Sequence, residues 1–460
     1  MRVYDRLVQQ GQGPFGQSNA SDPAAGAVSA KDLGAGSGSE QGHEVMAAPP
    51  SPLWARHDGW VRAEAERRIA GAAGARGDAA GDAARARAAD QGAERMSWGG
   101  VCDLPARFDS VEVEYAAIRR EAALVDFPQR GTLEVTGAER IPFLQRMLTQ
   151  DLKPLQSAPG AVRSYWLNRK GRIDADMLVV ETGERMLIEL DAAVARSVAS
   201  ALMQFVFSED VQVIDATDRW ARFEIHGPGS IALVESSGVG SDESLGMVHA
   251  RRDVCGVPGI ACAVPRDRAD EAWSRLLVAG AGGAAAGAPQ GGASAPPASG
   301  RHRARPCGWL AFNIARIEGG SPIFMVDFGT ASLPHETSLI ESRVSFAKGC
   351  YLGQEVVARM QSLGKPKQVI VAFKASRDAL PAGGAQVFAR RDDGGIGDEV
   401  GVVTSSALSP MLGAAPIGLA TVRTAHAAPG TVLVADAEGE LVDIAVQPAL
   451  CTLPGAKAAR

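Results

Sequence analysis

The stretch after Lys367 constrains the fold most, because strand patterns and turn residues replace the mixed pattern that precedes it. Its short apolar segments are separated by Gly, Pro and Asp: Val369–Phe373, Val400–Thr404, Ile417–Val422, Thr431–Ala435 and Leu441–Val446. Several short strands with turn signals between them are typical of a sandwich or a barrel. We therefore predict a small C-terminal β-barrel domain over residues 367–456.

Ahead of this segment, the chain alternates helical and strand patterns. Apolar residues recur at helical spacing in Glu112–Phe127 and Ala138–Leu148. Ala161–Leu167 and Ile173–Val180 alternate as strands around a turn at residues 168–171, which predicts a β-hairpin. The predicted fold class is α+β, with the mixed region spanning residues 96–366.

Two low-complexity stretches flank or interrupt this region. Residues 1–95 are rich in Ala, Gly, Ser, Arg and Asp and have few large apolar residues, so we expect a mostly disordered leader. Two exceptions are Ser51–His57, which carries an aromatic anchor, and the polar segment 60–95, which has helix-forming composition. Residues 279–305 are rich in Ala, Gly and Pro and are interpreted as a surface insertion.

Composition and charge exclude several function classes. The net charge of −6, from 47 Lys and Arg against 53 Asp and Glu, provides no overall basic field for stable nucleic-acid binding. No apolar run is long enough for a membrane span. The six cysteines form no CxxC pair and the histidines show no metal-binding spacing, so no metal site is predicted. We expect a monomer in the cytoplasm, or in the mitochondrial matrix if the source is eukaryotic.

The most informative motif is K-G-C-Y-L-G-Q-E, whose singled-out residues are Lys348, Gly349, Cys350, Tyr351, Gly353, Gln354 and Glu355. The glycines permit tight turns, and a helix is predicted to begin near Gln354. A cysteine between a lysine and a helix N-terminus is expected to favour the thiolate, which would suit a reactive or metal-contacting residue. The alternative is a buried structural cysteine in a glycine-rich turn.

This motif resembles the signature of the YgfZ family of folate-binding proteins, which includes a mitochondrial relative in iron–sulfur cluster maturation. Further matches, shared with glycine-cleavage aminomethyltransferases, begin at Arg316-Ile-Glu-Gly-Gly-Ser-Pro322 and at Leu333-Pro-His-Glu-Thr337. The resemblance implies a three-lobed cloverleaf fold around a central hole that binds tetrahydrofolate or a derivative. It also implies iron–sulfur client or assembly proteins as partners.

The resemblance places four residues near that hole as cofactor contacts: Asn168, Asp176, Arg316 and Glu318. A pterin edge offers donors and acceptors to carboxylates and amides, and an arginine can meet the glutamyl carboxylates. Cys350 and Asp176 are the candidate catalytic residues. The alternatives are a turn role for Asn168 and an ion pair between lobes for Arg316 and Glu318.

Two departures separate this chain from the aminomethyltransferase pattern. Ala175 replaces the first of two paired carboxylates, and Val257 stands where a folate-contacting glutamate is expected. Neither side chain can form a hydrogen bond or move a proton. The expected function is therefore a folate-binding accessory protein for iron–sulfur enzymes, including tRNA-modifying ones. The alternatives are a tetrahydrofolate-dependent aminomethyltransferase of the glycine cleavage type and an inert interaction module, so catalysis is left open.

Overall fold

The structure is a computed structural model that describes residues 48–72, 92–281 and 303–453. Within these ranges the helices are α1 (Trp54–Ala72), α2 (Val111–Arg120), α3 (Arg140–Met147), α4 (Ala192–Met203), α5 (Ser230–Ser237), α6 (Ala269–Ala281), α7 (Trp309–Glu318), α8 (Ile340–Arg343) and α9 (Gln354–Leu363). The strands are β1 (Glu94–Trp98), β2 (Cys102–Arg107), β3 (Ala122–Asp126), β4 (Arg130–Thr136), β5 (Gly160–Leu167), β6 (Ile173–Glu181), β7 (Met186–Asp191), β8 (Gln212–Asp215), β9 (Trp220–His226), β10 (Val248–Arg251), β11 (Gly259–Pro265), β12 (Ala304–Cys307), β13 (Gln368–Ala375), β14 (Gln386–Arg390), β15 (Ile396–Ser409), β16 (Ala415–Arg423), β17 (Val432–Ala437) and β18 (Glu440–Val446).

Two five-stranded sheets, a two-stranded sheet of β1 and β2, and a closed barrel form the described body. The first sheet has the order β5-β6-β7-β4-β8, and the second has the order β10-β11-β9-β3-β12. The barrel closes in the order β13-β16-β15-β14-β17-β18. The α+β fold with a terminal barrel, predicted from the sequence, is confirmed.

Helices cover one face of each five-stranded sheet; the first sheet with its helices is the first lobe, and the second sheet with its helices is the second lobe. Phe143 of α3 and Leu202 of α4 pack on the first sheet, and Trp273 of α6 packs on the second. Along β6 the odd-numbered residues from Ala175 to Val179 enter the core of the first lobe. Because strand side chains alternate, the even-numbered residues point to the opposite face, where Leu178 meets Ala250 beside the second sheet.

A layer of charged side chains lies between the two sheets. Glu189 on β7 pairs with Arg130 on β4 at 2.9 Å and also with Arg252 after β10. Arg222 on β9 donates to the Thr132 hydroxyl at 2.8 Å. Burial alone would raise the pKa of Glu189, but these arginines lower it below its usual range, so the carboxylate stays ionised.

The N-terminal segment differs from the prediction of a disordered leader over residues 1–95. Residues 48–72 pack on the second lobe, where Leu53 is fully buried and α1 begins at Trp54. Ser51 donates to the Asp126 carboxylate at 2.5 Å, and His57 Nε2 lies 2.9 Å from the same carboxylate. The leader boundary at residue 95 therefore requires correction, since residues 48–72 and 92–95 belong to the folded body. The rest of the leader lies outside the described residues.

The chain also departs from prediction at two element boundaries. The helical pattern predicted for Glu112–Phe127 ends at Arg120, and residues from Ala122 onward form β3. The predicted insertion 279–305 is bounded by the end of α6 at Ala281 and the start of β12 at Ala304, and residues 282–302 lie outside the described ranges.

Candidate functional site

A cleft of about 1000 Å³ lies between the first hairpin, β5 and β6, and the edge strand β10. Its walls combine aliphatic and polar side chains from the two lobes, among them Arg163, Leu178, Val180, Val248, Ala250 and Ser342. A cleft of this size between two lobes, apolar with a few polar groups, is the usual form of a small-molecule site.

Asp176 lies on the face of β6 that forms the cleft wall. It precedes Leu178 by two residues, so both side chains project from the same face of the strand. Asp176 is buried, and its Oδ1 accepts a hydrogen bond from Arg343 Nε at 2.9 Å. Its Oδ2 lies 4.0 Å from Arg163 Nη2. Burial alone would raise the pKa of Asp176, but the charges of Arg343 and Arg163 lower it below its usual value.

Arg343 is the residue that sequence reasoning missed. Its side chain is fully buried, and its Nη1 donates to the Ser342 hydroxyl at 2.8 Å. Its Nη2 has no hydrogen-bond partner among the described residues. An unsatisfied buried donor costs about 1–3 kcal/mol. A ligand acceptor that reached this guanidinium would remove that cost.

Arg163 adds a third charged group to this part of the site. It lines the cleft, where burial and then the nearby Arg343 charge lower its pKa to about 9. At neutral pH it remains protonated and available to an anionic group. Arg163 thus lines the cleft, whereas the buried Arg343 and Asp176 are neighbours in sequence of the lining residues Ser342 and Leu178.

Ala175 lies on the other face of β6 from the cleft. It is fully buried in the core of the first lobe, where it packs with Met177 and Val179. An aspartate at this position would place a carboxylate in that core rather than in the cleft. Ala175 therefore does not remove a carboxylate from the cleft, because position 176 is the one on the cleft side of β6. Val257 packs beside the apolar cluster of Val254 and Trp309.

Two of the predicted cofactor contacts connect the second lobe to the barrel. Arg316 is buried on α7 and pairs with Asp327 at 2.5 Å, and it also donates to Ser405 on β15 at 2.6 Å. Glu318 accepts hydrogen bonds from Tyr115 and Ser409, each at 2.5 Å, and pairs with Arg119. Arg316 and Glu318 do not pair with each other, as the ion-pair alternative proposed, because each has a different charged partner. Their assignment as folate contacts stays a prediction.

Asn168 occupies the turn of the hairpin. Its side-chain oxygen accepts from the backbone amides of Lys170 and Arg172, and its amide donates to Asp174 at 2.9 Å. These contacts match the turn alternative. The assignment of Asn168 as a cofactor contact stays a prediction.

The K-G-C-Y-L-G-Q-E motif packs on that same turn. Gly353 caps α9 with φ 80°, and a Cβ there would lie 2.7 Å from the carbonyl oxygen of Asn168. Only glycine suits both the left-handed backbone and this close approach. Tyr351 is buried, whereas Glu355 is exposed and pairs with Arg359 at 2.8 Å. Gln354 accepts from the Tyr351 amide at 3.3 Å.

Cys350 is exposed and lies in the turn before α9, which begins at Gln354. Lys348 does not serve as its cationic neighbour, because the Lys348 ammonium is buried and donates to three carbonyls of another segment. The expected activation of the thiol by this lysine is therefore not what the structure shows. The alternative of a buried structural cysteine is also wrong, since Cys350 is at the surface.

Two further features concern metal ligands and membrane spans. Over residues 48–72, 92–281 and 303–453, no group of three or more His, Cys, Asp or Glu side chains is arranged to hold a metal ion. Among the helices of these ranges, none has both the length and the apolar character required to cross a membrane.

Comparison with known proteins identifies the family. The model of the GCVT N-terminal domain matches residues 84–267, and the model of the glycine cleavage T-protein C-terminal barrel domain matches residues 368–450. An aminomethyltransferase of Streptomyces coelicolor is 30% identical over 361 residues, which cover 74% of this chain and 87% of the relative. The chain belongs to the aminomethyltransferase family.

Other aminomethyltransferases agree with this assignment. A probable aminomethyltransferase of Halobacterium salinarum is 27% identical over 366 residues, which cover 74% of this chain and 90% of the relative. The crystal structure of glycine cleavage system aminomethyltransferase T from Bartonella henselae aligns with a TM-score of 0.68 at 19% identity. That alignment covers 90% of this chain and 100% of the Bartonella chain, and it shows the common fold.

Family membership corrects the function predicted from sequence. The relatives are named aminomethyltransferases, which contradicts an accessory role in iron–sulfur assembly and favours the alternative that Ala175 and Val257 had argued against. The matching models describe the wider aminomethyltransferase family rather than the YgfZ branch. Tetrahydrofolate is the one-carbon acceptor of this family, which bears out the predicted ligand class.

Proposed function

We propose that this protein is a tetrahydrofolate-dependent aminomethyltransferase of the glycine cleavage type, with its folate site in the cleft between β5–β6 and β10. The observation that carries the proposal is Asp176, a buried carboxylate held ionised on the cleft-facing side of β6. The names of the relatives support the reaction class.

Asp176 and Arg343 would hold the pterin. Arg343 Nη2 supplies a donor and Asp176 supplies an acceptor, and a pterin edge offers groups of both kinds. Arg163, on the cleft wall, would pair with a carboxylate of the ligand. Tetrahydrofolate supplies the nitrogen that accepts the one-carbon unit.

Protonation limits what Asp176 can do. Because the neighbouring arginines lower its pKa, Asp176 is a carboxylate at neutral pH and acts as a hydrogen-bond acceptor. It would orient an N–H group of the ligand and stabilise positive charge that develops beside it. Tyr165, opposite Asp176 on β5, has its pKa raised by burial and stays a neutral phenol, 3.0 Å from the Thr337 hydroxyl.

Asp176 is the carboxylate on which the proposal depends, because Val257 stands where a second ligand-contacting carboxylate was expected. Asp176→Asn keeps the size of the side chain and removes the charge, so we expect methylene-tetrahydrofolate formation from an aminomethylated lipoyl carrier to fall by about 100-fold or more. Asp174→Asn makes the same change two residues earlier in β6, where the carboxylate contacts Asn168.

The two variants, Asp176→Asn and Asp174→Asn, are compared in the same transfer assay. Full activity in Asp174→Asn with loss in Asp176→Asn supports the assignment. Absence of transfer by the unmodified protein, with tetrahydrofolate and carrier both present, would overturn the proposed function.

The finer assignments rest on the sequence and remain part of this proposal. The Lys348–Glu355 motif supports a place in the YgfZ branch of the family, without an iron–sulfur role. Six free cysteines support a cytoplasmic location. We propose a monomer of 47.8 kDa, and sedimentation equilibrium checks the mass in solution.

A further inference from the structure

Lys348 is a buried cation whose three donors are all used on one short segment of backbone. Its Nζ donates to the carbonyl oxygens of Gln145 at 2.7 Å, Leu148 at 2.6 Å and Gln150 at 3.0 Å. The lysine is 7% exposed, and burial lowers its pKa to about 8, so it is protonated at neutral pH. Three carbonyls match the three hydrogens of an ammonium, which compensates for its removal from water.

The segment held by Lys348 lies against β5 next to the proposed folate site. Thr149 donates its amide to the Tyr165 carbonyl at 3.1 Å, and its hydroxyl accepts from the Tyr165 amide at 2.9 Å. The Gln150 amide donates to the Ser164 hydroxyl at 2.9 Å, and Gln150 lines the cleft. Residues 148–150 therefore form a fixed layer beside the cleft.

The same segment also holds the backbone of Arg343. The Thr149 hydroxyl donates to the Arg343 carbonyl at 2.7 Å, and the Ser345 amide donates to the Thr149 carbonyl at 3.0 Å. Together with Lys348, these bonds fasten both ends of residues 343–348 to residues 145–150. The side chain that this clamp orients is Arg343, which reaches Asp176.

We propose that Lys348 is a positioning residue that sets the Arg343 guanidinium against Asp176 by clamping residues 148–150. The inference rests on the proposed function for its effect on ligand binding, whereas the clamp itself is a property of the unliganded protein. It gives the lysine of the Lys348–Glu355 motif a role that does not involve Cys350.

The clamp is tested by amide hydrogen exchange on the full-length protein without ligand. Lys348→Met keeps the aliphatic stem and leaves three carbonyls without their donor. We expect exchange at the Thr149 and Ser345 amides to accelerate by about tenfold or more. A tenfold change corresponds to a loss of about 1.4 kcal/mol in the free energy of local opening. Lys365 is exposed, so Lys365→Met is the matched control, and its Thr149 and Ser345 amides should exchange as they do in the wild type. Unchanged exchange at both amides in Lys348→Met would overturn the clamp.

A second variant covers the case in which Lys348→Met does not fold. Thr149→Val keeps the shape of the side chain and removes the hydroxyl that bonds the Arg343 carbonyl. The Ser345 amide should then exchange faster while the barrel amides of β13 and β16 keep their protection. Equal acceleration everywhere would show general destabilisation and would count against a local clamp.

The positioning role is tested by a double-mutant cycle on the dissociation constant of tetrahydrofolate. Lys348→Met should weaken binding by about tenfold alone and by less than about twofold in an Arg343→Met background, because the lysine acts through that arginine. Additive losses would overturn positioning. No binding by the wild type would instead reject the proposed function, and the exchange result alone would then decide the clamp.

Discussion

Two buried arginine–aspartate pairs in this protein have similar chemistry and different surroundings. In the pair of Arg316 and Asp327, the arginine also bonds Asn313 and Ser405, and the aspartate accepts from Thr404 and Ser405. In the pair of Arg343 and Asp176, one guanidinium nitrogen has no partner among the described residues, and the pair adjoins an open cleft.

The difference separates an ion pair that joins lobes from one that is prepared for a ligand. A charge pair whose donors and acceptors are all matched within the protein has nothing left to offer a small molecule. A pair with an unmatched donor beside a cleft retains a binding group. The motif that contains Arg316 therefore predicts a folate contact at an arginine whose donors are already used within the protein.

The largest expected effect is on stability. Arg316→Met leaves Asp327 buried without its partner, which should lower the free energy of unfolding by about 3–5 kcal/mol. Arg343→Met leaves Asp176 near Arg163 at the cleft wall, so its loss should be smaller. Urea denaturation of the two variants compares them directly, and equal losses would contradict the distinction.

For ligand binding we expect the opposite order, with a larger loss in Arg343→Met than in Arg316→Met. Arg343→Met removes a charged donor from the site and should weaken tetrahydrofolate binding by about 1.5–3 kcal/mol. Arg316→Met should keep wild-type affinity per folded molecule. Isothermal titration calorimetry, with the folded fraction measured by circular dichroism, checks both. Greater weakening by Arg316→Met would place the site at the wrong pair.

Acid should weaken the Asp176 pair in a defined pH range. The folded pKa of Asp176 is lowered, so its contribution to stability is complete above the unfolded value of about 3.9 and is lost as pH falls through the folded pKa. The stability difference between wild type and Asp176→Asn should therefore shrink below about pH 4. Thermal midpoints from pH 2.5 to 7 test this, and a difference that grows on acidification would contradict the sign.

The smallest expected effect concerns Cys350. This thiol is exposed, so Cys350→Ala should change the free energy of unfolding by less than about 0.5 kcal/mol. Under native conditions, iodoacetamide should modify Cys350 before Cys255 and Cys307, which are buried. Mass spectrometry of tryptic peptides gives the order of labelling. Earlier modification of either buried cysteine would show that the turn before α9 is covered.

Much of the fold could be predicted because its information is local. The hairpin strand predicted at Ile173–Val180 is observed at Ile173–Glu181, and five of the six barrel strands overlap predicted segments, whereas β14 was not predicted. For helix α1 the sequence indicated only an aromatic anchor at Ser51–His57 and helix-forming composition after it, because the helix is polar and few of its residues are buried. Its docking depends on Leu53 and His57 meeting residues far away in sequence.

The site was only partly predictable. Asp176 could be selected from its place in the hairpin, but Ala175 shows how one step along a strand exchanges the cleft face for the core. Arg343 is the last residue of the short helix α8, and no sequence motif marks it. Its importance depends on Thr149 and Lys348, which the fold brings beside it.

The location of the folate site is decided by a crystal structure of the protein with tetrahydrofolate. We expect the pterin in the cleft between β5–β6 and β10, with Arg343 Nη2 and the Asp176 carboxylate within hydrogen-bonding distance of it. A pterin bound elsewhere, with Arg343 and Asp176 unchanged and the Arg316–Asp327 pair opened to receive it, would show that the site is misplaced.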